Sequence, residues 1–198
     1  MRPPLSNAEV EFLATGTVVT ISPRFNLERL RLWTGGVGPV RLNQPVQVPL
    51  WVALHLKRSR KCSILCPSWL NLQYINERIE QERADDLFTD LPEHYLEAAA
   101  LLFKHAPDDI PNVVKVKAAL NALESIRVAK LRVGLQEIQP GFTFAKLNNV
   151  TLMEIQQIRS YTSAALDQLY DMSQEKFLER TGASSQSQAE TQQPSLNL

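Results

Sequence analysis

The chain lacks the patterns that mark membrane, secreted and disulfide-bonded proteins. Its 198 residues include two cysteines, Cys62 and Cys66, which suits a reducing compartment. No run of about 18 apolar residues is present, so the sequence predicts no membrane span. No hydrophobic signal segment follows the first four residues, so secretion is not expected. The nucleus or the cytoplasm is therefore the expected compartment.

An excess of charge of either sign is also missing, since 21 Lys and Arg balance 21 Asp and Glu. A protein that binds nucleic acid by itself usually has a basic excess or a dense basic stripe. The dense basic run is Lys57, Arg58, Arg60 and Lys61, and it contains no aromatic residue for base stacking. We favour a solvated loop for this run, with phosphate contact as the alternative. DNA contact is expected to be weak at most.

Motifs for catalysis and cofactor binding are absent from the sequence. It contains no G-x-S-x-G elbow, no Walker A motif and no H-E-x-x-H motif. His55, Cys62 and Cys66 could suggest a metal, but a structural zinc needs four ligands. We therefore predict no metal, no cofactor and no enzymatic activity. A small hydrolase that uses Cys62 or Cys66 is an alternative, and activity that survives a double Cys→Ser change would exclude it.

The sequence predicts a small β-rich module over residues 1–66. Ser6-Asn7-Ala8-Glu9 is a capping box, which predicts a short helix to about Thr15. The glycine-rich segment 35–39 predicts a turn, and residues 50–57 predict a helical turn with Trp51 packed inward. Short strands are predicted from β-branched or alternating residues at 17–21, 29–33 and 46–48.

After Pro67 the pattern becomes helical, over residues 67–178. Helices are predicted at 72–84, 93–105, 113–138 and from 151 onward, where Thr151-Leu152-Met153-Glu154 forms a second capping box. The segment 93–105 is apolar on nearly every side, which predicts burial within the chain or against another subunit. The acidic stretch 77–86 predicts a solvated helix face. The Ser/Gln-rich residues 179–198 predict a disordered tail. The expected fold class is α+β, mainly α.

The segment 126–133 mixes charged and apolar residues. Arg127, Lys130 and Arg132 alternate there with isoleucine, leucine and valine. Because an unpaired buried charge is costly, such charges need fixed partners. Long basic side chains can instead extend over a core of the same chain and keep their charge in water. The residues alone weigh a subunit interface and this second interpretation about equally.

Six short segments resemble the second subunit of the eukaryotic GINS complex, of the partner-of-Sld-five type. They occur in order and with matching spacing between about Ala8 and about Met172. The segments are 8–14, 46–53, 61–62, 67–69, 126–133 and 151–155. Each is a weak signal alone, but six in order make a specific one.

The resemblance implies a small domain first and a helical domain after it. It implies a non-catalytic subunit of a nuclear heterotetramer, joined to three sister subunits through helical faces. This assembly would bind the minichromosome-maintenance helicase hexamer and its activating factor in initiation and elongation of DNA replication. The resemblance also favours Arg127, Lys130, Arg132, Leu152 and Ile155 as interface residues. The alternative function is a helical adaptor of another nuclear assembly, which co-purifying partners would reveal.

Overall fold

The computed structural model describes residues 5–32, 35–136, 148–159, 162–164, 167–168 and 170–171. The predicted fold class is confirmed, since a small sheet near the N-terminus is followed by a helical bundle. The predicted tail 179–198 lies outside the described residues, as does Pro140-Gly141, where the sequence favours a break after the helix predicted at 113–138.

The N-terminal segment begins with α1 (Asn7–Ala14), as its capping box predicts. The Ser6 side chain accepts from the Glu9 amide at 3.3 Å, and the Ser6 amide donates to the Glu9 carboxylate at 2.6 Å. The strand β1 (Val18–Pro23) follows and forms the centre of a three-stranded antiparallel sheet. Its side chains alternate between exposed or half-buried and buried positions, so one face of the sheet packs on the core.

A two-stranded ribbon contradicts the predicted turn at 35–39. The strand β2 (Leu30–Leu32) pairs with β3 (Gly35–Val37), with Leu32 opposite Gly35. Residues 35–37 are thus a strand and not a turn, while the strand predicted at 29–33 is confirmed by β2. At Gly38, φ is +123°, a backbone conformation that L side chains rarely adopt, so glycine is needed there.

Two further strands and a helix complete this region. The strands β4 (Val46–Pro49) and β5 (Cys62–Ile64) flank β1, and α2 (Leu50–Arg58) connects them. The helix at 50–57 was predicted, but the inward packing of Trp51 is wrong, because that side chain is 44% exposed. The buried face of α2 instead consists of Leu50, Val52, Ala53 and Leu54.

The remaining elements are helical. The helix α3 (Leu72–Ala84) has the predicted bounds, while α4 (Tyr95–His105) and α5 (Val113–Gln136) begin or end within two residues of prediction. Residues 152–159 are helical and are called α6 below. Single 3-10 turns at Ser68–Leu70 and Pro107–Asp109 precede α3 and α5, respectively.

One hydrophobic core joins the sheet to the helices. It includes Ile21 from β1, Leu50 from α2, Leu102 from α4 and Leu123 from α5, each at most 1% exposed. One face of the apolar helix predicted at 93–105 is therefore buried within the chain itself, through Tyr95, Ala98, Ala99, Leu101 and Leu102.

Contacts divide the chain into two compact units. The first, called unit 1 below, consists of Met1–Leu131 with Leu147–Gln157, and the second consists of Arg132–Lys146 with Ile158–Leu198. The domain boundaries expected after residues 66 and 178 stay a prediction.

Candidate functional site

Arg127 lies on α5 inside unit 1 and is completely buried. Its Nε and Nη2 donate to the two carboxylate oxygens of Glu154 at 2.6 and 3.0 Å. Its Nη1 donates to Oε2 of Glu82 and to the carbonyl of Thr89, both at 3.2 Å. Nη2 also donates to the carbonyl of Asn149 at 2.6 Å. A guanidinium has five N–H donors, so each one has an acceptor in this chain.

Glu154 connects this arginine to the start of α6. The carboxylate is fully buried and also accepts from the Tyr95 hydroxyl and the Thr151 amide, both at 2.9 Å. The contact with the Thr151 amide is one half of the predicted capping box. The other half is not formed, because the Thr151 hydroxyl has no hydrogen-bond partner among the described residues. Glu154 thus caps α6 and neutralises Arg127 with the same carboxylate.

Glu82 corrects the prediction of a solvated acidic face at 77–86. It is 1% exposed and accepts from the Thr89 amide at 3.0 Å, besides its contact with Arg127. Lys130 donates to its carboxylate at 3.1 Å and to its carbonyl at 2.7 Å. Two cations from α5 therefore hold this one carboxylate of α3 in the interior.

The loop after α3 is held by the same two cations. Lys130 donates to the carbonyls of Asp85 and Leu87 at 2.8 and 3.2 Å. The ring of Phe88 lies 5.1 Å from the Arg127 guanidinium and 5.4 Å from the Lys130 ammonium, within cation–π range. We call Arg127, Lys130, Glu82, Glu154 and Tyr95 the arginine cluster. It joins α3, α4, α5 and the start of α6 within unit 1.

The charges of the cluster stabilise one another. Burial alone raises the pKa of Glu154, but hydrogen bonds from Arg127 and Thr151 outweigh it and hold that pKa below its ordinary value. Glu82 behaves alike: burial raises its pKa, while bonds from Thr89 and Lys130 bring it below the ordinary value. Burial lowers the pKa of Arg127, but Glu154, Tyr95 and Glu82 together raise it above its ordinary value. All three groups are therefore charged at neutral pH.

Acid is expected to weaken the fold through these two carboxylates. Because the pKa values of Glu82 and Glu154 are lowered on folding, the unfolded chain binds more protons at acidic pH. Their stabilising contribution is complete above the ordinary carboxyl pKa of 4.5 and is lost as pH falls below it. We expect the melting temperature, measured by circular dichroism, to fall below about pH 4.5. In Glu82→Gln this acid-induced fall is expected to be shallower, whereas the exposed control Glu93→Gln should follow the wild type. Equal slopes in all three proteins would contradict the assignment.

The structure contradicts the interpretation that the charge of Arg127 stays in water, and its interface role stays a prediction. Its charged head is buried, so it does not extend into water, and its N–H groups are all used within the chain. The carboxylate partners that the sequence predicts are intramolecular. Arg132 is exposed, Leu152 is half-buried and Ile155 is 38% exposed. The interface roles of these residues stay predictions.

The structure places Lys57 in a different environment from the other basic residues of the segment 57–61. Lys57 lies in the last turn of α2 with its side chain 18% exposed, and its Nζ lies 2.7 Å from the Asp109 carboxylate. That carboxylate also accepts from the Ile64 amide of β5 at 2.8 Å. The solvated-loop prediction is thus wrong for Lys57, which ties α2 to the 3-10 turn before α5. The remaining basic residues, Arg58, Arg60 and Lys61, are exposed.

The thiols lack the environment of a nucleophile. Burial raises the pKa of Cys62 to about 11, and it also raises the pKa of Cys66. A reactive cysteine needs a lowered pKa, so neither thiol is activated.

Within the described ranges, no group of three or more His, Cys, Asp and Glu residues could hold a metal ion. None of the described helices is long and apolar enough to cross a membrane.

Comparison with known proteins identifies the family. A family model described as the PSF2 N-terminal domain matches residues 6–65, and one described as the GINS complex protein helical bundle domain matches residues 69–173. The human DNA replication complex GINS protein PSF2 is 38% identical over 167 residues, which are 83% of this chain and 90% of the human protein. This chain belongs to the PSF2 family.

Other PSF2 relatives agree over the same extent. The Xenopus laevis protein, also described as DNA replication complex GINS protein PSF2, is 37% identical over 83% of this chain and 90% of its own length. The Drosophila melanogaster protein, described as a probable PSF2, is 38% identical over 81% of this chain and 80% of its own length. The resemblance predicted from six short segments is confirmed.

Sequence reasoning missed the carboxylates of this PSF2-family chain. Glu82 falls on the buried stripe of α3 that Ile75 and Ile79 begin, with spacings of four and three residues. That helical spacing was a usable signal of burial. Glu154 was recognised only as a capping residue, although one carboxylate can accept several hydrogen bonds. Either carboxylate, Glu82 or Glu154, could then have been proposed as a buried partner of Arg127 on α5.

Proposed function

We propose that this chain is a non-catalytic subunit of the heterotetrameric GINS complex. It acts as a scaffold and activator of the replicative helicase in the nucleus, in initiation and elongation of DNA replication. The observation that carries the proposal is the consecutive match to two domains, which together extend over residues 6–65 and 69–173. Relatives of this chain are described as DNA replication complex proteins.

The arginine cluster supports a structural role. Its two cations and two carboxylates bind one another and nearby backbone carbonyls and amides, so they fix the positions of helices. We propose that the cluster holds α5 and α6 in the arrangement that sister subunits bind. Arg127 and Lys130 then act indirectly, while Leu152 and Ile155 on α6 and the exposed Arg132 on α5 contact a partner.

The proposed partners are three sister subunits, the minichromosome-maintenance helicase hexamer and its activating factor. No cofactor or membrane is required. Residues 1–66 and 67–178 are proposed as the small module and the assembly domain, and residues 179–198 as a tail that assembly does not need.

A reconstituted unwinding assay tests this function. The motor and its activating factor are mixed with the complete four-subunit particle, or with a particle from which this chain is omitted. We expect duplex unwinding to rise only with the complete particle, and the particle alone to hydrolyse no ATP. Equal unwinding without this chain, or ATP hydrolysis by stringently purified particle, would contradict the proposal.

The contribution of this chain to the DNA affinity of the particle is expected to be weak and salt-sensitive. Arg58, Arg60 and Lys61 are exposed, whereas Lys57 is engaged by Asp109. About three phosphate contacts would give a log–log salt slope of about −3. Titration of the particle with duplex DNA across a salt series measures this slope, and a triple alanine variant of the three exposed residues should flatten it. Tight binding that survives moderate salt would overturn the scaffold interpretation.

A further inference from the structure

The connection between α2 and β5 carries an exposed serine inside the basic run. Residues 58–61 are exposed throughout, and Ser59 lies directly after the last residue of α2. Within the described part of the chain, its hydroxyl makes no hydrogen bond. Its four nearest neighbours in the sequence are all basic: Lys57, Arg58, Arg60 and Lys61. Cations on both sides therefore flank one accessible hydroxyl.

The backbone of this connection is held only by local contacts. The amides of residues 59, 60 and 61 donate to carbonyls of the last turns of α2, at 3.1, 2.8 and 2.9 Å. Arg60 has φ of +56°, in the left-handed region where glycine is the usual residue after a helix. Helix ends are among the parts of a fold that open most readily, and opening this turn relieves the unfavourable conformation of Arg60. The segment can therefore extend while the core stays intact.

We propose that Ser59 is a phosphorylation site for a protein kinase whose substrate cleft is acidic. Kinases discriminate between substrates by the pattern of charges around the acceptor hydroxyl. An opened turn presents two cations on each side of Ser59, and carboxylates of such a cleft attract these cations. Local opening brings the hydroxyl into the cleft without disturbing the sheet or the helical bundle.

The modification is a phosphoryl transfer from ATP. The hydroxyl oxygen of Ser59 attacks the γ-phosphorus, and a new O–P bond forms as the bond to the β-phosphate oxygen breaks. ADP leaves with the electron pair of the broken bond, and the hydroxyl proton passes to the catalytic carboxylate of the kinase. The products are phosphoserine at position 59, ADP and a proton.

The phosphate would cancel most of the free positive charge of the run. Phosphoserine carries about −1.5 to −2 charges at pH 7. Arg58, Arg60 and Lys61 are exposed, whereas Lys57 is engaged by Asp109. Because the C-terminal end of a helix repels anions, the phosphate turns from α2 towards these exposed cations and occupies their donors. Phosphorylation therefore suppresses the DNA contact of this run, a consequence that rests on the proposed function.

A kinase assay on the four-subunit particle tests the site. The probe is ATP with the purified catalytic domain of a kinase that selects lysine or arginine on both sides of serine. Peptide mass spectrometry is expected to find the phosphate on Ser59, and the same modified peptide in chain recovered from cells. Ser68 is the matched control, since it is exposed but has no charged residue within three positions. Absence of phosphate from Ser59, or equal incorporation at Ser68, would overturn the proposal.

The role of the flanking cations is tested by a double variant, Arg58→Ala with Lys61→Ala. We expect phosphorylation of Ser59 to become at least about tenfold slower, because attraction to the acidic cleft is lost. Lys115→Ala removes an exposed cation of α5 and should leave the rate unchanged. A kinase that selects acidic flanks should not modify Ser59 in any of these proteins. Equal rates in the double variant and the wild type would contradict charge-based recognition.

The consequence for DNA is measured by duplex titration of the particle across a salt series. Phosphorylated particle is expected to lose about two of the three phosphate contacts, so its log–log salt slope becomes shallower by about 2. Ser59→Ala should bind DNA like the wild type and no longer respond to the kinase. An unchanged slope after complete phosphorylation would refute the switch. Phosphate incorporation is measured independently of unwinding, so failure at Ser59 refutes this inference alone, and failure of unwinding refutes the proposed function.

Discussion

Arg127→Ala is expected to lower the free energy of unfolding by about 3–5 kcal/mol. The change removes five hydrogen bonds and leaves the buried carboxylates of Glu82 and Glu154 without their shared counter-charge. Removing one partner of a buried ion pair is costlier than losing the pair, because the remaining charge stays desolvated. Urea unfolding of the purified chain, followed by circular dichroism, measures the change.

Matched variants separate the buried site from the effect of losing an arginine. Arg132→Ala changes an exposed arginine on the same helix and should alter stability by less than about 0.5 kcal/mol. Arg127→Lys should remain strongly destabilised, because an ammonium cannot reproduce the fork of five donors. Combining Arg127→Met with Glu82→Gln and Glu154→Gln should recover part of the loss, since no charge then stays unpaired. If Arg127→Ala and Arg132→Ala had equal effects, the cluster would have no special role.

Glu154→Ala is expected to have an effect of similar size, about 3–5 kcal/mol. This carboxylate accepts four hydrogen bonds, two from Arg127, one from Tyr95 and one from Thr151, so its removal affects α4, α5 and α6 together. The loss should be largest at the start of α6, which also loses its cap.

Hydrogen exchange provides a local measurement for the same variant. The amide of Ile155, which donates to the Thr151 carbonyl at 3.0 Å, should exchange much faster in Glu154→Ala. Tyr95→Phe removes only one of the four donors and should cost about 1 kcal/mol. Unchanged protection of Ile155 would show that Glu154 does not hold the start of α6.

Local sequence signals predicted the helices of this fold well. The capping box at Ser6 fixed the start of α1, and apolar periodicity gave the bounds of α3. Strands were harder, because pairing depends on distant residues. Of the ribbon, β2 was predicted as a strand within 29–33, but β3 was mistaken for a turn, because glycine favours turns and the pairing with β2 is not visible in the local pattern.

The candidate site was predictable only in part. The mixed segment around Arg127 indicated that its charge needs a fixed partner, which is what the structure contains. The partners themselves lie 45 and 27 residues away, at Glu82 and Glu154, and only the tertiary fold brings them together.

Native mass spectrometry of the tagged chain, recovered from cells, tests GINS membership most directly. We predict a particle that contains one copy each of this chain and three sister subunits. Arg127→Ala should reduce its yield far more than Arg132→Ala does. Recovery of the chain in a stable assembly of other composition, or only as a free monomer, would contradict its identity as a GINS subunit.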